Sequence, residues 1–144
     1  ALLQPELFRA VDKGLIRARR FAGGGAPDAQ NEIDKLYAHM DKAEPYLDPS
    51  LTVSGLAAQI GSTPRELSEL INQSLGVSFF DFVNGYRIDR AKKMLASEEM
   101  TVLEILYAVG FNSKSSFNTA FRKHANMTPT GYRQSLHLSE AGAS

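Results

Sequence analysis

The chain has 144 residues, enough for one domain with an appendage, and its 43% hydrophobic and 22% charged residues are ordinary for a globular protein with one core. Lys plus Arg and Asp plus Glu number 16 each, so overall charge points to no partner. Cysteine is absent, which excludes disulfides, thiolate zinc sites, iron–sulfur clusters and cysteine nucleophiles.

No apolar run of about 18 residues occurs, so no segment is expected to cross a membrane. The opening at Ala1, without methionine or a leader pattern, reads as a piece of something longer. Over residues 1–22, Leu3, Leu7, Val11 and Leu15 form a helical stripe that ends in the basic Arg17, Arg19 and Arg20. Gly23-Gly24-Gly25, closely followed by Pro27, reads as a flexible break. Ile33, Leu36, Tyr37 and Met40 then repeat at the spacing of one helix face. That stripe has two readings: a helix packed on the body, or one that couples or dimerises the body with an upstream domain. Pro45 and Pro49 bracket Tyr46-Leu47 as a loop. His39, His124 and His137 lack ligand spacing, so no metal and no cofactor are expected.

After Pro49 every start signal is helical. Thr52 precedes a helix with Leu56, Ala57 and Ile60 that stops at Gly61. Thr63-Pro64-Arg65-Glu66 is a capping box with proline at the first helical position, opening a helix through Leu67, Leu70 and Ile71 toward Gly76. Ser78 opens a long helix to Ser97, of about 20 residues and so about 30 Å. Thr101 to Glu104 is a second capping box, leading through Ile105 and Ala108 to Gly110. Ser113 caps a helix with Phe117, Ala120 and Phe121, and Thr128-Pro129 caps a short last helix with Tyr132 and Leu136. The fold class is all-α.

Two segments share one anatomy. Leu56 to Thr63 is a short helix, a glycine turn and a capping threonine, followed by a helix from Pro64; Ile105 to Ser113 repeats the device ahead of Lys114 to His124. A helix-turn-helix needs the turn glycine for positive φ and a small residue four positions earlier, where the helices cross. Ala57 meets the second requirement; Leu106 does not, so the second crossing is expected to be wider or repacked. Charge divides the same way: Asp48, Glu66, Glu69 and Asp81 oppose only Arg65 between residues 48 and 81. Lys114, Arg122, Lys123 and Arg133 stand without any acid between residues 110 and 137, a footprint that nucleic acid needs.

Residues 46–136 resemble the DNA-binding domain of the AraC/XylS transcription activators. The likeness is carried by Val109-Gly110-Phe111-Asn112-Ser113-Lys114-Ser115-Ser116-Phe117-Asn118, by Phe121-Arg122-Lys123, and by Thr128-Pro129 with Tyr132-Arg133. Gly76 to Asn84 and Tyr86-Arg87-Ile88 through Ala91 and Leu95 resemble that family's linker helix. Leu106, Gly55 and the acidic first recognition helix depart from the pattern. The resemblance implies two helix-turn-helix units joined by the long helix, with double-stranded DNA and RNA polymerase as partners and a sensor domain upstream. Tyr46 to Leu51 and Phe80 to Asn84 are similar to relatives with membrane sensors, which leaves open whether the full-length protein is membrane-tethered.

Major grooves on one face of B-DNA lie about 34 Å apart, so a rigid spacer of that order lets one monomer place two helices in adjacent grooves. With the core positions removed, Lys114, Ser115, Asn118 and Thr119 remain as base readers on the second helix, and Arg65, Ser68 and Glu69 on the first. Lys and Arg suit guanine, Asn suits adenine, Glu accepts from cytosine N4, and Ser or Thr contacts several bases. Ser113, Arg122, Lys123 and Arg133 are assigned to phosphates. Arg87 and Arg90 remain open between phosphate contact and pairing with Asp81 or Asp89.

The expected division is a helical tail and linker over 1–44, a double helix-turn-helix over 45–137 and a disordered C-terminus over 138–144. An enzyme of the DNA-alkyl-transfer kind found in some relatives would need a cysteine acceptor, and the chain has none; no enzymatic activity is expected. The alternative is a helical protein-interaction module that binds no DNA. The adopted reading is a cytoplasmic, sequence-specific transcription regulator, mainly monomeric as this isolated chain, because a short apolar stripe docks more easily on its own chain than on a second.

Overall fold

A computed structural model describes residues 27–143, with side-chain surroundings for 29–138. The Leu3–Leu15 stripe, the basic run after it and the Gly23–Gly25 break lie outside the described residues. Among the described residues, seven α-helices follow in order: α1 Pro27–Ala43, α2 Val53–Gln59, α3 Pro64–Leu75, α4 Phe79–Leu95, α5 Val102–Ala108, α6 Lys114–Ala125 and α7 Pro129–Ala143. A 3-10 turn, Pro45–Leu47, stands where the two prolines predict a loop. Among the described residues there is no strand, as the all-α reading expects.

The helix starts follow from local chemistry. Thr63 Oγ1 accepts from the Glu66 amide at 3.1 Å while Glu66 accepts from the Thr63 amide at 3.1 Å. Thr101 and Glu104 repeat the box at 3.1 and 2.8 Å. The capping threonines hold both carboxyls below the ordinary glutamate range, first through the backbone amide and then through the hydroxyl. That stabilisation is present at neutral pH and fades as the pH falls through the lowered values. Ser78 caps α4 by accepting from the Asp81 amide at 3.1 Å. The helix it starts is 17 residues long, about 25 Å, and stops short of the expected Ser97. The last helix is longer than its sequence suggests: it continues to Ala143, through residues expected to be disordered. No proline or further cap interrupts it, and extending an existing helix fixes one residue per added hydrogen bond.

The chain divides into two compact units. The first takes the described residues up to Pro45 together with Leu51–Phe82; the second takes Tyr46–Ser50 and Val83 onward. In the first, α2 and α3 pack together and α1 packs on α3. The α1 stripe is buried entirely, with Ile33, Leu36, Tyr37 and Met40 all shielded. Tyr37 meets Phe82 with ring centroids 6.4 Å apart, and His39 Nε2 shares a 2.7 Å hydrogen bond with Gln59 Oε1. Of the two readings of that stripe, packing on the body is the one realised.

In the second unit Ile88, Ala91 and Leu95 present one face of α4 to Ile105, Leu106, Val109, Phe111, Phe117, Ala120 and Phe121. Rings continue through this core from Phe111 to Phe117 at 5.3 Å, on to Phe121 at 5.7 Å, and to Tyr132 at 5.7 Å. Leu106, where a wider or repacked helix crossing is expected, is 1% exposed and joins that core.

Both helix-turn-helix turns close in the same way. The amides of Ser62 and Phe111 reach back to the carbonyls of Ala57 and Leu106 at 2.8 and 3.0 Å, and those of Gly61 and Gly110 to Ala58 and Tyr107. This is the Schellman pattern, with glycine in the left-handed position. The two glycines differ in surroundings: a Cβ on Gly61 (φ 71°) would meet nothing within 4 Å, whereas one on Gly110 (φ 103°) would lie 2.5 Å from the Tyr46 carbonyl oxygen and 2.8 Å from Arg87 Nε. Gly61→Ala should therefore cost about 1 kcal/mol, the left-handed penalty alone. Gly110→Ala should cost well above that, because backbone must also move. Urea unfolding of the two variants checks the order, and equal losses would remove the close approach from the account.

Candidate nucleic-acid interface

Phe117, Ala120 and Phe121 are buried, as are Leu67 and Ile71, so each recognition helix turns its other side outward. On α6, Lys114, Ser115, Asn118 and Thr119 are all exposed. Ser115, Asn118, Thr119 and Arg122 fall at i, i+3, i+4 and i+7 and form one polar stripe. Arg122 and Lys123 are exposed in the last turn, where cations also suit the helix dipole. The Ser113 hydroxyl is engaged in capping: it accepts from the Ser116 amide at 3.2 Å and lies 3.1 Å from Ser116 Oγ. A phosphate would have to share it with the cap.

On α3, Arg65 and Glu69 are exposed and Ser68 is half-buried. The structure brings two of these together. Arg65 Nε donates to Glu69 Oε1 at 3.1 Å, with the two side chains 88% and 54% exposed. Sequence spacing places them four apart, yet each is expected to read a base separately. Glu66 is occupied by its capping box, as expected.

Two arginines take roles that the sequence does not reveal. Arg133, assigned to phosphate, folds into the second unit: Nε donates to the Leu95 carbonyl at 3.1 Å, and Nη2 to those of Ser97 and Met100, both at 2.8 Å. It satisfies carbonyls at and beyond the end of α4, where the helix leaves acceptors open. Arg87, left open between phosphate and Asp81 or Asp89, is buried and donates to the carbonyls of Tyr46 at 2.7 Å and Asp48 at 2.9 Å. Its guanidinium lies 5.5 Å from the centre of the Phe111 ring, and burial lowers its pKa, opposed by the Asp48 charge. Tyr46, read as part of a loop, is buried with its ring 5.4 Å from Tyr86. No sequence signal marks these contacts, since the acceptors are backbone oxygens.

Among the described residues, no group of His, Asp or Glu side chains could hold a metal ion, and no helix is long and apolar enough to cross a membrane. What the surface offers is two helix faces of hydroxyl, amide and charged groups.

Residues 56–135 match the family described as a helix-turn-helix domain. The fold aligns with an AraC-type DNA-binding regulator from Chromobacterium violaceum at a TM-score of 0.64 and 26% identity, covering 74% of this chain and 95% of that one. The chain belongs to the AraC-type helix-turn-helix family. The C-terminal domain of AraT, a response regulator from Geobacillus stearothermophilus, aligns at a TM-score of 0.62 and 27% identity, over 76% of this chain and 86% of its own. The HTH-type transcriptional regulator GlxA of Rhizobium meliloti is 30% identical over 99 residues, which are 69% of this chain and 31% of that protein. An HTH-type regulator of Staphylococcus aureus strain COL is 34% identical over 100 residues, 13% of its length. The chain therefore spans a third or less of these curated relatives. As a member of this AraC-type family it is a DNA-binding transcription regulator domain, and the matched region includes both recognition helices.

The contrast between Arg133 and Arg122 is measurable. Arg133→Met should cost about 2–4 kcal/mol of stability, because three carbonyls lose a charged donor, and should leave the salt dependence of DNA binding unchanged. Arg122→Met should do the reverse, flattening the slope of log affinity against log salt by about 0.9. A stable Arg133→Met protein with the flattened slope would return Arg133 to the phosphates.

Proposed function

We propose that this chain is the sequence-reading module of a transcription regulator, placing two recognition helices in successive major grooves from one monomer. The observation that carries the reading is the repetition of a complete unit: a short helix, a Schellman glycine turn, a hydroxyl cap and a 12-residue helix with an exposed polar stripe occur twice. A continuous helix, α4, runs from one unit into the other. Lys114, Ser115, Asn118 and Thr119 read bases in the second unit, and Arg65, Ser68 and Glu69 in the first. Ser113, Arg122 and Lys123 meet phosphates. Binding sites are then asymmetric or directly repeated rather than palindromic. The module works in the cytoplasm, follows a sensor domain and acts on RNA polymerase; it assigns no catalytic step to any residue.

The second unit carries most of the affinity, since three exposed cations line α6 and α3 carries net negative charge. Lys114→Ala should weaken specific binding by roughly 1–3 kcal/mol, and Arg65→Ala by less. Mobility-shift titration against a selected site, at several salt concentrations, tests both. Wild-type affinity in Lys114→Ala together with loss of binding in Arg65→Ala would reverse the order. No binding by the wild-type chain to any duplex would favour the protein-interaction alternative.

The free chain is monomeric in this reading, because the α1 stripe is consumed by its own unit: Leu36 and Met40 are 0% exposed. Sedimentation at low micromolar concentration should return a mass near 15.8 kDa. A concentration-independent dimer would assign dimerisation to this chain instead of to an upstream domain or to DNA.

A further inference from the structure

We propose that the first recognition helix is a discriminator rather than an anchor: Glu69 engages Arg65 on the reading face, so that α3 accepts only a subsite offering guanine to Arg65 and a cytosine amino group to Glu69. The proposal rests on the DNA-binding reading above and concerns how the two units divide the work.

The two recognition helices can be compared position by position. Each has 12 residues, begins after a hydroxyl cap in extended backbone and ends at a left-handed residue, Gly76 or Asn126. In that register Arg65 corresponds to Ser115, Ser68 to Asn118 and Glu69 to Thr119. Arg122 and Lys123 correspond to Asn72 and Gln73. The first helix therefore lacks the last-turn cations of the second, and Asn72 Nδ2 instead donates to its own helix, to the Ser68 carbonyl at 3.0 Å. In the reading positions it carries an ion pair where the second carries two hydroxyls.

An Arg–Glu pair has no net charge, so it displaces few counterions on meeting a phosphate backbone. Its carboxylate is repelled by phosphates and gains no donor from a mismatched base, a cost that rises as water is excluded. Against guanine O6/N7 and cytosine N4, each group exchanges one charged partner for a base edge. The pair is exposed and adds little to the stability of the fold. Its effect is on what the face accepts, because Arg65 bonded to Glu69 is withheld from phosphates and the carboxylate repels them. Four residues of helix span about 6 Å, and base pairs rise about 3.4 Å, which sets the two contacts one or two steps apart.

The test uses the whole chain as wild type, as Glu69→Gln, and as Glu69→Gln in an Arg65→Met background. Each is titrated against random-sequence duplex at several salt concentrations, and wild type and Glu69→Gln are carried through random-site selection. Glu69→Gln should bind random duplex several-fold more tightly and steepen the salt slope by about 0.9, one phosphate contact made by the released Arg65. Its selected sites should lose the cytosine preference in one half while keeping the bases read by α6. The steepened slope should vanish without Arg65. If wild type selects a motif and Glu69→Gln selects the same one with the same slope, the discriminator is overturned and the DNA-binding reading stands. If wild type binds no duplex, both fall together.

Discussion

A guanidinium buried among backbone oxygens organises the second unit. Arg87 is 8% exposed, and its two donated bonds go to the carbonyls of Tyr46 and Asp48. A cation held this way is costly to leave unpaired, because the medium around it no longer supplies water. The same group backs onto Gly110, where a side-chain carbon would lie 2.8 Å from its Nε, and onto the face of Phe111. The turn before the second recognition helix thus has room for glycine only. Its left-handed conformation places Phe111 in the core and Ser113 at the cap of α6, so the reading face is set by a contact it does not include.

Arg133 extends the same principle. Its three carbonyl partners belong to the end of α4 and the segment leading to α5. The second unit is held at two places by planar, many-donor side chains, a use to which lysine's single ammonium is poorly suited. The consequence for function is a smaller electrostatic footprint than the sequence implies. Of the four cations after Gly110, Arg133 is consumed internally, leaving Lys114, Arg122 and Lys123 exposed.

The first unit is built from a different balance. Its core draws in α1, and burying Ile33, Leu36, Tyr37 and Met40 there removes from solvent the stripe that would otherwise seek a partner. Its recognition helix is tied down by a capping box rather than by arginine clamps, and its polar face carries a self-neutralised pair. Two recognition helices of one anatomy therefore present different electrostatics to a polyanion, α6 cationic and α3 net negative.

The features legible in the sequence are those whose partners lie within about five residues. Both capping boxes, the hydroxyl caps at Thr52 and Ser113, the positive-φ glycines and the inward Phe117, Ala120 and Phe121 follow from spacing alone. So do the two recognition faces, which are what remains once the core positions are taken out. The Arg65–Glu69 pair was visible as a spacing, yet only side-chain geometry joins the two residues into an ion pair. Arg87 and Arg133 were decided by tertiary structure, through acceptors 33 to 41 residues away. Those acceptors are peptide oxygens, which every residue carries, so no pattern of residue types distinguishes an arginine that clamps the backbone from one that waits for phosphate.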